Sequence, residues 1–327
     1  MSILIALVVI IAVVILGLVV FTARTARKVE AALPPRGRFM QIDAERIHYV
    51  DRGGTGPAIV MIHGLGGNLM HFTYALADEL SSNFRVIMVD RPGCGYSERP
   101  DRAPADLTAQ AATLAKFVRG LALKQPLVVG HSLGGALSLA IALDHPDCVG
   151  ALALIAPLTH VPDKVPDVFK GLIIRSPTLR KAIAWTLATP LGIRRGAEAL
   201  KEVFGPEPAP SDFPVRAGGL LGLRPRAFCS ASSDAVLANH VLPIGTYPET
   251  NGSFTNFKGR VQRITQAFPP PGNALTGLEA IARLSHAIDG KERPTDASAI
   301  FNEMAASEAP FEAMNFDALM PHGLPLK

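Results

Sequence analysis

The 327 residues are enough for one large domain or two smaller ones, and the 48% apolar content is sufficient for a buried core. The formal net charge is +4, but no run of Lys and Arg alternates with aromatic residues, which argues against a nucleic-acid-binding surface. The three cysteines lie far apart without CxxC spacing, which argues against a disulfide framework and a zinc site and favours a reducing compartment.

Residues 2–21 form an apolar segment that predicts a transmembrane helix. About 20 helical residues, rising about 1.5 Å each, span a hydrocarbon core of about 30 Å, so this segment is expected to lie in the lipid bilayer. A secretory signal peptide is the alternative, but it would normally carry basic residues before a shorter apolar stretch. Basic residues follow the segment and none precedes it. The positive-inside rule therefore predicts a single-pass protein of the inner (cytoplasmic) membrane with its globular part in the cytoplasm.

The rest of the chain changes composition at two places, which predicts its domain organisation. Prolines 34 and 35 mark a linker, and Gly, Thr, Asn and Pro become frequent after residue 233. We expect an anchor at 1–22, a linker at 23–39, a core at 40–233 with a helical lid at 161–230, and a separate C-terminal segment at 234–327.

Four apolar runs in the core predict strands of a parallel sheet: residues 58–62, 85–89, 127–129 and 151–155. Runs rich in Val and Ile without polar alternation are typical of strands that are covered on both faces. Helical spacing at residues 107–123 and 135–143 places helices between these strands. The alternation of strands and helices predicts an α/β fold.

Two glycine-rich motifs follow predicted strands and suggest a catalytic site. Residues 130–134, Gly-His-Ser-Leu-Gly, lie between a strand and a helix, the context of a nucleophile elbow in which Ser132 would be the nucleophile. Residues 63–67, His-Gly-Leu-Gly-Gly, follow another strand. An acyl-transfer site needs two backbone N–H donors for the developing oxyanion, and Leu65 and Leu133 are the expected pair. The alternative for each motif is an ordinary glycine-rich turn.

With these motifs, residues 59–68, 89–97 (Val-Asp-Arg-Pro-Gly-Cys-Gly-Tyr-Ser) and 129–135 resemble the α/β-hydrolase superfamily, in the branch with a helical lid. The resemblance extends over residues 46–233. It implies a Ser-His-Asp mechanism on a small acyl substrate such as an ester or thioester. The dehalogenases and epoxide hydrolases of the superfamily carry aspartate where this chain has Ser132, which argues against those activities.

The superfamily continues after its lid with two more strands that bring the Asp and His of the triad, and residues 234–327 lack both patterns. This segment contains residues 238–243 (Ala-Asn-His-Val-Leu-Pro), 251–256 (Asn-Gly-Ser-Phe-Thr-Asn) and 259–263 (Gly-Arg-Val-Gln-Arg). With these residues it resembles, over residues 235–319, the C-terminal part of the molybdopterin-oxidoreductase-like subunit of bacterial NADH:quinone oxidoreductase. It lacks the nucleotide-binding and iron-sulfur parts of that subunit and shows no cysteine ligand pattern, so we expect no cofactor and no metal. The expected fold is thus an α/β-hydrolase-like, mostly parallel sheet without its usual last two strands, as from a gene fusion, a frameshift or an assembly error.

A serine is a weak nucleophile unless a histidine accepts its proton. The base candidates are His240, which precedes the apolar residues 241–244, and His286, whose alternative role is an exposed helical residue. The acid candidates are Asp163 and Glu249, and the alternative for both is a solvated surface carboxylate. We expect residues 241–244 to pair with the edge strand at 151–155, which would otherwise be open to aggregation.

The sequence favours a membrane-anchored serine hydrolase that is impaired by loss of the triad His and Asp. One alternative is a non-catalytic docking or assembly protein at the membrane, whose C-terminal segment binds a protein partner in a respiratory complex. Another is an inert fusion product. A molybdenum or NADH oxidoreductase has the least support, because the cofactor-binding parts are missing.

Overall fold

A computed structural model of the chain describes residues 2–101, 103–158 and 167–237, and further on 252–255, 260–264, 279, 282–283, 286, 292, 294–312, 314–319 and 324–325. The chain divides into two compact units, residues 1–240 and 241–327. Each unit is described by itself below.

The first element is one long helix, α1, Ser2–Ala32. Its N-terminal part is long and apolar enough to cross a membrane. Residues 23–32, which were expected to belong to the linker, continue the helix, because no Gly or Pro interrupts it between Thr22 and Pro34. The anchor and the first part of the expected linker therefore form one continuous helix.

A six-stranded sheet forms the centre of the first unit, in the order β1-β2-β4-β3-β5-β6. The strands are β1 Arg38–Ile42, β2 Glu45–Asp51, β3 Ala58–Ile62, β4 Arg85–Val89, β5 Leu127–His131 and β6 Ala151–Ile155. Strands β4, β3, β5 and β6 run parallel, whereas β1 and β2 are antiparallel to their neighbours. The expected α/β fold with a mostly parallel sheet is confirmed.

Helices cover both faces of the sheet, which explains the continuous apolar runs of its strands. They are α2 Met70–Ala75, α3 Ala77–Leu80, α4 Leu107–Gly120 and α5 Leu133–Asp144. Four successive residues of β4, from Val86 to Val89, are fully buried. Helix α4 begins at an N-cap, Asp106, whose carboxylate accepts a hydrogen bond from the Ala109 N–H.

Strand β6 is the last strand of the sheet as described. Its Leu154 and Ile155 are 36% and 42% exposed, whereas the central strands are buried. An apolar edge strand of this kind is open to pairing with another strand. Residues 241–244, the partner expected from the sequence, lie outside the described residues.

The lid follows β6 as a set of helices: α6 Asp167–Lys170, α7 Pro177–Thr186, α8 Ala188–Phe204, α9 Phe213–Arg216, a 3-10 helix at Gly219–Leu223 and α10 Pro225–Leu237. The end of α1 packs against this lid through Val29 and Leu33, which lie in one apolar cluster with Leu221. The end of α1 is also held by a hydrogen bond, which the Tyr96 hydroxyl donates to the Leu33 carbonyl at 2.5 Å. The globular part is thus attached directly to the helix that could span the membrane.

The second unit contains a small antiparallel sheet of β7 Gly252–Thr255, β8 Arg260–Ile264 and β9 Leu324–Pro325, in that order. A helix at Ala297–Ser307 is capped by Asp296. Phe301 and Phe316 pack against each other in an apolar cluster beside this helix.

Candidate active site

Ser132 lies at the apex of a sharp turn between β5 and α5. Its backbone has φ 54° and ψ −120°, a conformation that is strained for a residue with a side chain. The turn also needs its glycines. A Cβ atom at Gly130 would lie 2.4 Å from the Ser138 hydroxyl, and one at Gly134 would lie 2.2 Å from the Ile62 carbonyl. The strand-turn-helix arrangement expected from Gly-His-Ser-Leu-Gly is therefore present, with Ser132 half-buried at its tip.

The loop after β3 lies directly against this turn. A Cβ atom at Gly64 would be 3.0 Å from the Ser132 Cβ, so Gly64 allows the close approach of the two segments. Leu133 is the first residue of α5, where backbone N–H groups have no partner within the helix. No hydrogen bond among the described residues uses the backbone N–H of Leu65 or Leu133. Gly64, the neighbour of Leu65, and Leu133 thus lie beside Ser132, and the N–H groups of Leu65 and Leu133 have no hydrogen-bond partner among the described residues.

His63, next to this loop, is held as a neutral ring. Its Nδ1 donates to the Gly64 carbonyl at 2.9 Å, and its Nε2 accepts from the Arg91 backbone N–H at 3.1 Å. Burial, together with the nearby Arg91 guanidinium, lowers the pKa of His63 from 6.5 to about 3. With both nitrogens engaged, His63 orients the loop and cannot act as a general base.

Two further histidines border the same loop. A Cβ atom at Gly64 would lie 3.2 Å from the Nδ1 of His131, and a Cβ atom at Gly67 would lie 3.0 Å from the Cε1 of His71. Burial, together with the nearby His131 ring, lowers the pKa of His71 to about 4, and burial also lowers the pKa of His131. His71 was not considered from the sequence, where its only signal is its position soon after the second glycine motif.

No imidazole in residues 2–101, 103–158 or 167–237 forms a hydrogen bond with the Ser132 hydroxyl. Three of the residues predicted to complete the site, Asp163, His240 and Glu249, lie outside the described residues. The fourth, His286, belongs to the second unit, where it is exposed and lies 3.5 Å from Glu292. The structure therefore brings the loop at Gly64 close to Ser132 and shows no histidine hydrogen-bonded to the Ser132 hydroxyl within the described residues.

A buried ionic network fixes the loop that carries Leu65. The Arg91 guanidinium donates to the His63 and Gly64 carbonyls at 3.0 and 3.2 Å. Asp234, on α10 at the end of the lid, accepts from Arg91 at 2.8 Å and from Arg99 at 2.9 Å. Sequence reasoning did not identify this network, because its members are far apart in the chain and meet only after folding.

A cavity of about 550 Å³ lies elsewhere in the first unit, lined among others by Arg99, Arg180, Arg226 and Cys229. Ser132, Leu65 and Leu133 are not among its lining residues. Among the described residues, no group of His, Cys, Asp or Glu could hold a metal ion.

Comparison with protein families agrees with the two resemblances found in the sequence. Residues 57–210 match the family described as alpha/beta hydrolase fold, and residues 229–287 match the family described as molybdopterin oxidoreductase. A solved structure of an alpha/beta hydrolase fold protein from Burkholderia ambifaria covers 60% of this chain and 70% of its own, with 22% identity and a TM-score of 0.50. The α/β-hydrolase fold and the resemblance of the C-terminal segment to a second family are therefore confirmed.

Curated relatives match a short part of the chain. The dihydrolipoyllysine-residue acetyltransferase component of the acetoin cleaving system from Cupriavidus necator is 34% identical over 121 residues, which are 37% of this chain and 32% of that protein. Fluoroacetate dehalogenase from a Burkholderia species is 36% identical over 107 residues, 32% of this chain and 35% of that protein. The chain thus spans about a third of the length of these relatives.

Proposed function

We propose that this chain is a membrane-anchored serine hydrolase that cleaves a small acyl substrate, with Ser132 as the nucleophile and no cofactor. The observation that carries the proposal is the strained turn at Ser132, which the loop at Gly64 approaches closely, together with the backbone N–H groups of Leu65 and Leu133 that have no partner among the described residues. The α/β-hydrolase fold and a dehalogenase among the relatives support a hydrolase. A serine at position 132 favours acyl transfer over dehalogenation.

In the proposed reaction, the Ser132 oxygen attacks the carbonyl carbon of the substrate while a base accepts the hydroxyl proton. The carbonyl oxygen becomes an oxyanion that accepts hydrogen bonds from the N–H groups of Leu65 and Leu133. The positive end of the α5 dipole adds to this stabilisation. Loss of one such donor typically costs about 10² to 10³ in kcat. As the intermediate collapses, the protonated base gives the proton to the leaving oxygen or sulfur, so that the alcohol or thiol departs and an acyl-enzyme remains, which water then hydrolyses.

The base is the weak point of this site. His71 and His131 are poor proton acceptors at neutral pH because burial lowers the pKa of each. His240 and His286 remain the base candidates, with Asp163 and Glu249 as acid candidates. Loss of the triad base typically costs about 10⁶ in kcat and leaves about 10³ to 10⁴ over the uncatalysed rate. We therefore propose a slow hydrolase, far below the rate of an intact triad.

A fluorophosphonate probe tests the proposal, because it reacts covalently with activated serines. We expect slow labelling of the purified full chain in detergent and no labelling of Ser132→Ala. Ser82→Ala is the matched control, since Ser82 is exposed and donates only to the Glu79 carbonyl. His240→Ala and His286→Ala then test the base, and labelling that is lost in one of them identifies it. A wild-type chain that is not labelled at all would contradict a catalytic function.

The match of residues 229–287 to molybdopterin oxidoreductases supports a second candidate, a docking or assembly role at the membrane. In this case the C-terminal segment would bind a protein partner in a respiratory complex. Native electrophoresis of solubilised membranes tests it. Comigration of the full chain with NADH:quinone oxidoreductase supports docking, and separate migration rejects it.

We further propose that the globular part lies on the cytoplasmic side of the inner membrane, because the basic residues Arg24, Arg27 and Lys28 follow the apolar part of α1. Protease added to spheroplasts should leave the chain intact and should digest it only after lysis. Digestion before lysis would show that the globular part lies on the opposite side of the membrane.

A further inference from the structure

One face of α1 is covered by protein, and the covered part begins inside the apolar span. Leu18 and Val19 are partly covered, and Thr22 is fully buried. Leu18 lies three residues before Phe21, which corresponds to about 4.5 Å along a helix axis. The part of this chain that covers α1 therefore extends into the depth expected for the hydrocarbon layer.

The lid provides this cover. The elements that pack most closely on α1 within the first unit are α7, the 3-10 helix at Gly219–Leu223 and α8. Val29 and Leu33, near the end of α1, contact Leu221 of the 3-10 helix. In addition, the Arg224 guanidinium lies 3.4 Å from the Glu30 carboxylate. The lid and the end of the anchor helix are thus fixed to each other by apolar and ionic contacts.

The lid helices that pack on α1 also expose large apolar side chains. Leu179 and Trp185 lie on α7, Leu187 lies between the two helices, and Leu191 lies on α8; they are 53%, 45%, 46% and 48% exposed. We call these four residues the lid apolar face. Exposed apolar side chains grouped in this way are typical of an interaction surface.

The charges beside the lid apolar face fit a lipid surface. Leu187 is the residue before α8, and Leu191 and Arg195 lie in α8. Because the three follow one another at i, i+4 spacing, they lie along one side of this helix. Arg194 and Arg195 are both exposed. An apolar stripe that ends in basic side chains is the pattern of a helix that lies in a membrane interface with its charges at the headgroups.

We propose that the lid apolar face lies in the lipid bilayer beside α1, so that the globular part contacts the membrane through its lid as well as through its anchor. The argument rests on continuity, because the lid packs on the helix that could span the membrane, and the covered face of that helix begins at Leu18. The contact is independent of catalysis by Ser132.

Trp185 tests this directly, because it is the single tryptophan of the chain. The full chain is reconstituted into vesicles of phosphatidylcholine and phosphatidylglycerol, with or without phosphatidylcholine brominated near the headgroup end of its acyl chains. We expect brominated lipid to reduce the Trp185 emission on the order of twofold or more, since an interfacial helix inserts its apolar face about 5–10 Å into the bilayer. Aqueous acrylamide should reduce the emission little.

Variants check that the lid apolar face causes the contact. Leu187→Asp combined with Leu191→Asp should move Trp185 into water, so that acrylamide quenches it and brominated lipid does not. Leu143→Asp is the matched control, because Leu143 is 38% exposed on α5 and lies outside the lid. It should leave both quenching curves unchanged.

Two results with the wild-type chain would overturn the proposal. Emission that acrylamide quenches and brominated lipid does not would place the lid apolar face in water. Emission that neither quencher reduces would place it against protein, such as a second copy of this chain. Because the assay measures fluorescence alone, its outcome is separate from fluorophosphonate labelling and from the proposed hydrolase function.

Discussion

The charge of Asp234 is predicted to hold the lid end and the loop of Leu65 in place. Both of its carboxylate oxygens are used, one by Arg91 at 2.8 Å and one by Arg99 at 2.9 Å, and the side chains of Asp234 and Arg91 are 0% exposed. Asp234→Asn keeps the size of the side chain but removes its charge. Two guanidinium groups, one buried and one nearly so, then lose their shared counterion.

Removal of one partner from a buried ion pair typically costs about 3–5 kcal/mol, because the other charge stays buried without compensation. For a domain of this size, each kcal/mol lowers Tm by about 2–4 °C, so we expect a decrease of about 6–20 °C. The control is Asp101→Asn, which removes an exposed ion pair with Lys181 worth about 0–1 kcal/mol. Thermal unfolding of the full chain in detergent, followed by circular dichroism, measures both.

The same substitution should also slow labelling of Ser132. Arg91 connects Asp234 to the Gly64 carbonyl, so a displaced Arg91 would shift the loop that carries the Leu65 N–H. If the Tm of Asp234→Asn lies within a few degrees of the Tm of Asp101→Asn, the network does not stabilise the fold and the reasoning is wrong. Normal labelling in a destabilised variant would refute the link to the loop alone.

Two other substitutions test the site. Gly64→Ala places a Cβ atom 3.0 Å from the Ser132 Cβ and should slow fluorophosphonate labelling by about tenfold, since small displacements of reacting groups are costly. Gly196→Ala, in α8 with no atom within 4 Å of the new Cβ, should leave labelling unchanged, and equal rates in both variants would contradict a close contact of the loop with Ser132. His63 has a pKa of about 3 when folded against 6.5 ordinarily, so between these values the unfolded chain binds a proton that the folded chain does not. Its contribution to stability is complete above pH 6.5 and falls by about 1.4 kcal/mol per pH unit on acidification. Urea unfolding between pH 7 and 5 should show that His63→Gln has a shallower slope, and an unchanged slope would mean that His63 titrates normally.

The sequence by itself was sufficient to predict those features that depend on neighbouring residues. The apolar segment of α1, the strands and the turn at Ser132 each depend on a short run of side chains. Gly130 is an example, because a Cβ atom there would lie 2.5 Å from the Gly134 carbonyl of the same turn. Steric requirements of this kind can be recognised without knowing the rest of the fold.

Only the tertiary structure decided how distant segments meet. The extension of α1 to Ala32 was not expected. Its contact with the lid was not expected either, because no local sequence pattern indicates which face of α1 is covered. The neutral state of His63 depends on Arg91, and the position of Arg91 depends on Asp234 at the far end of the lid. Burial and ion pairing come from residues separated by many positions along the chain, so they arise when the chain packs and cannot be inferred from the order of its residues.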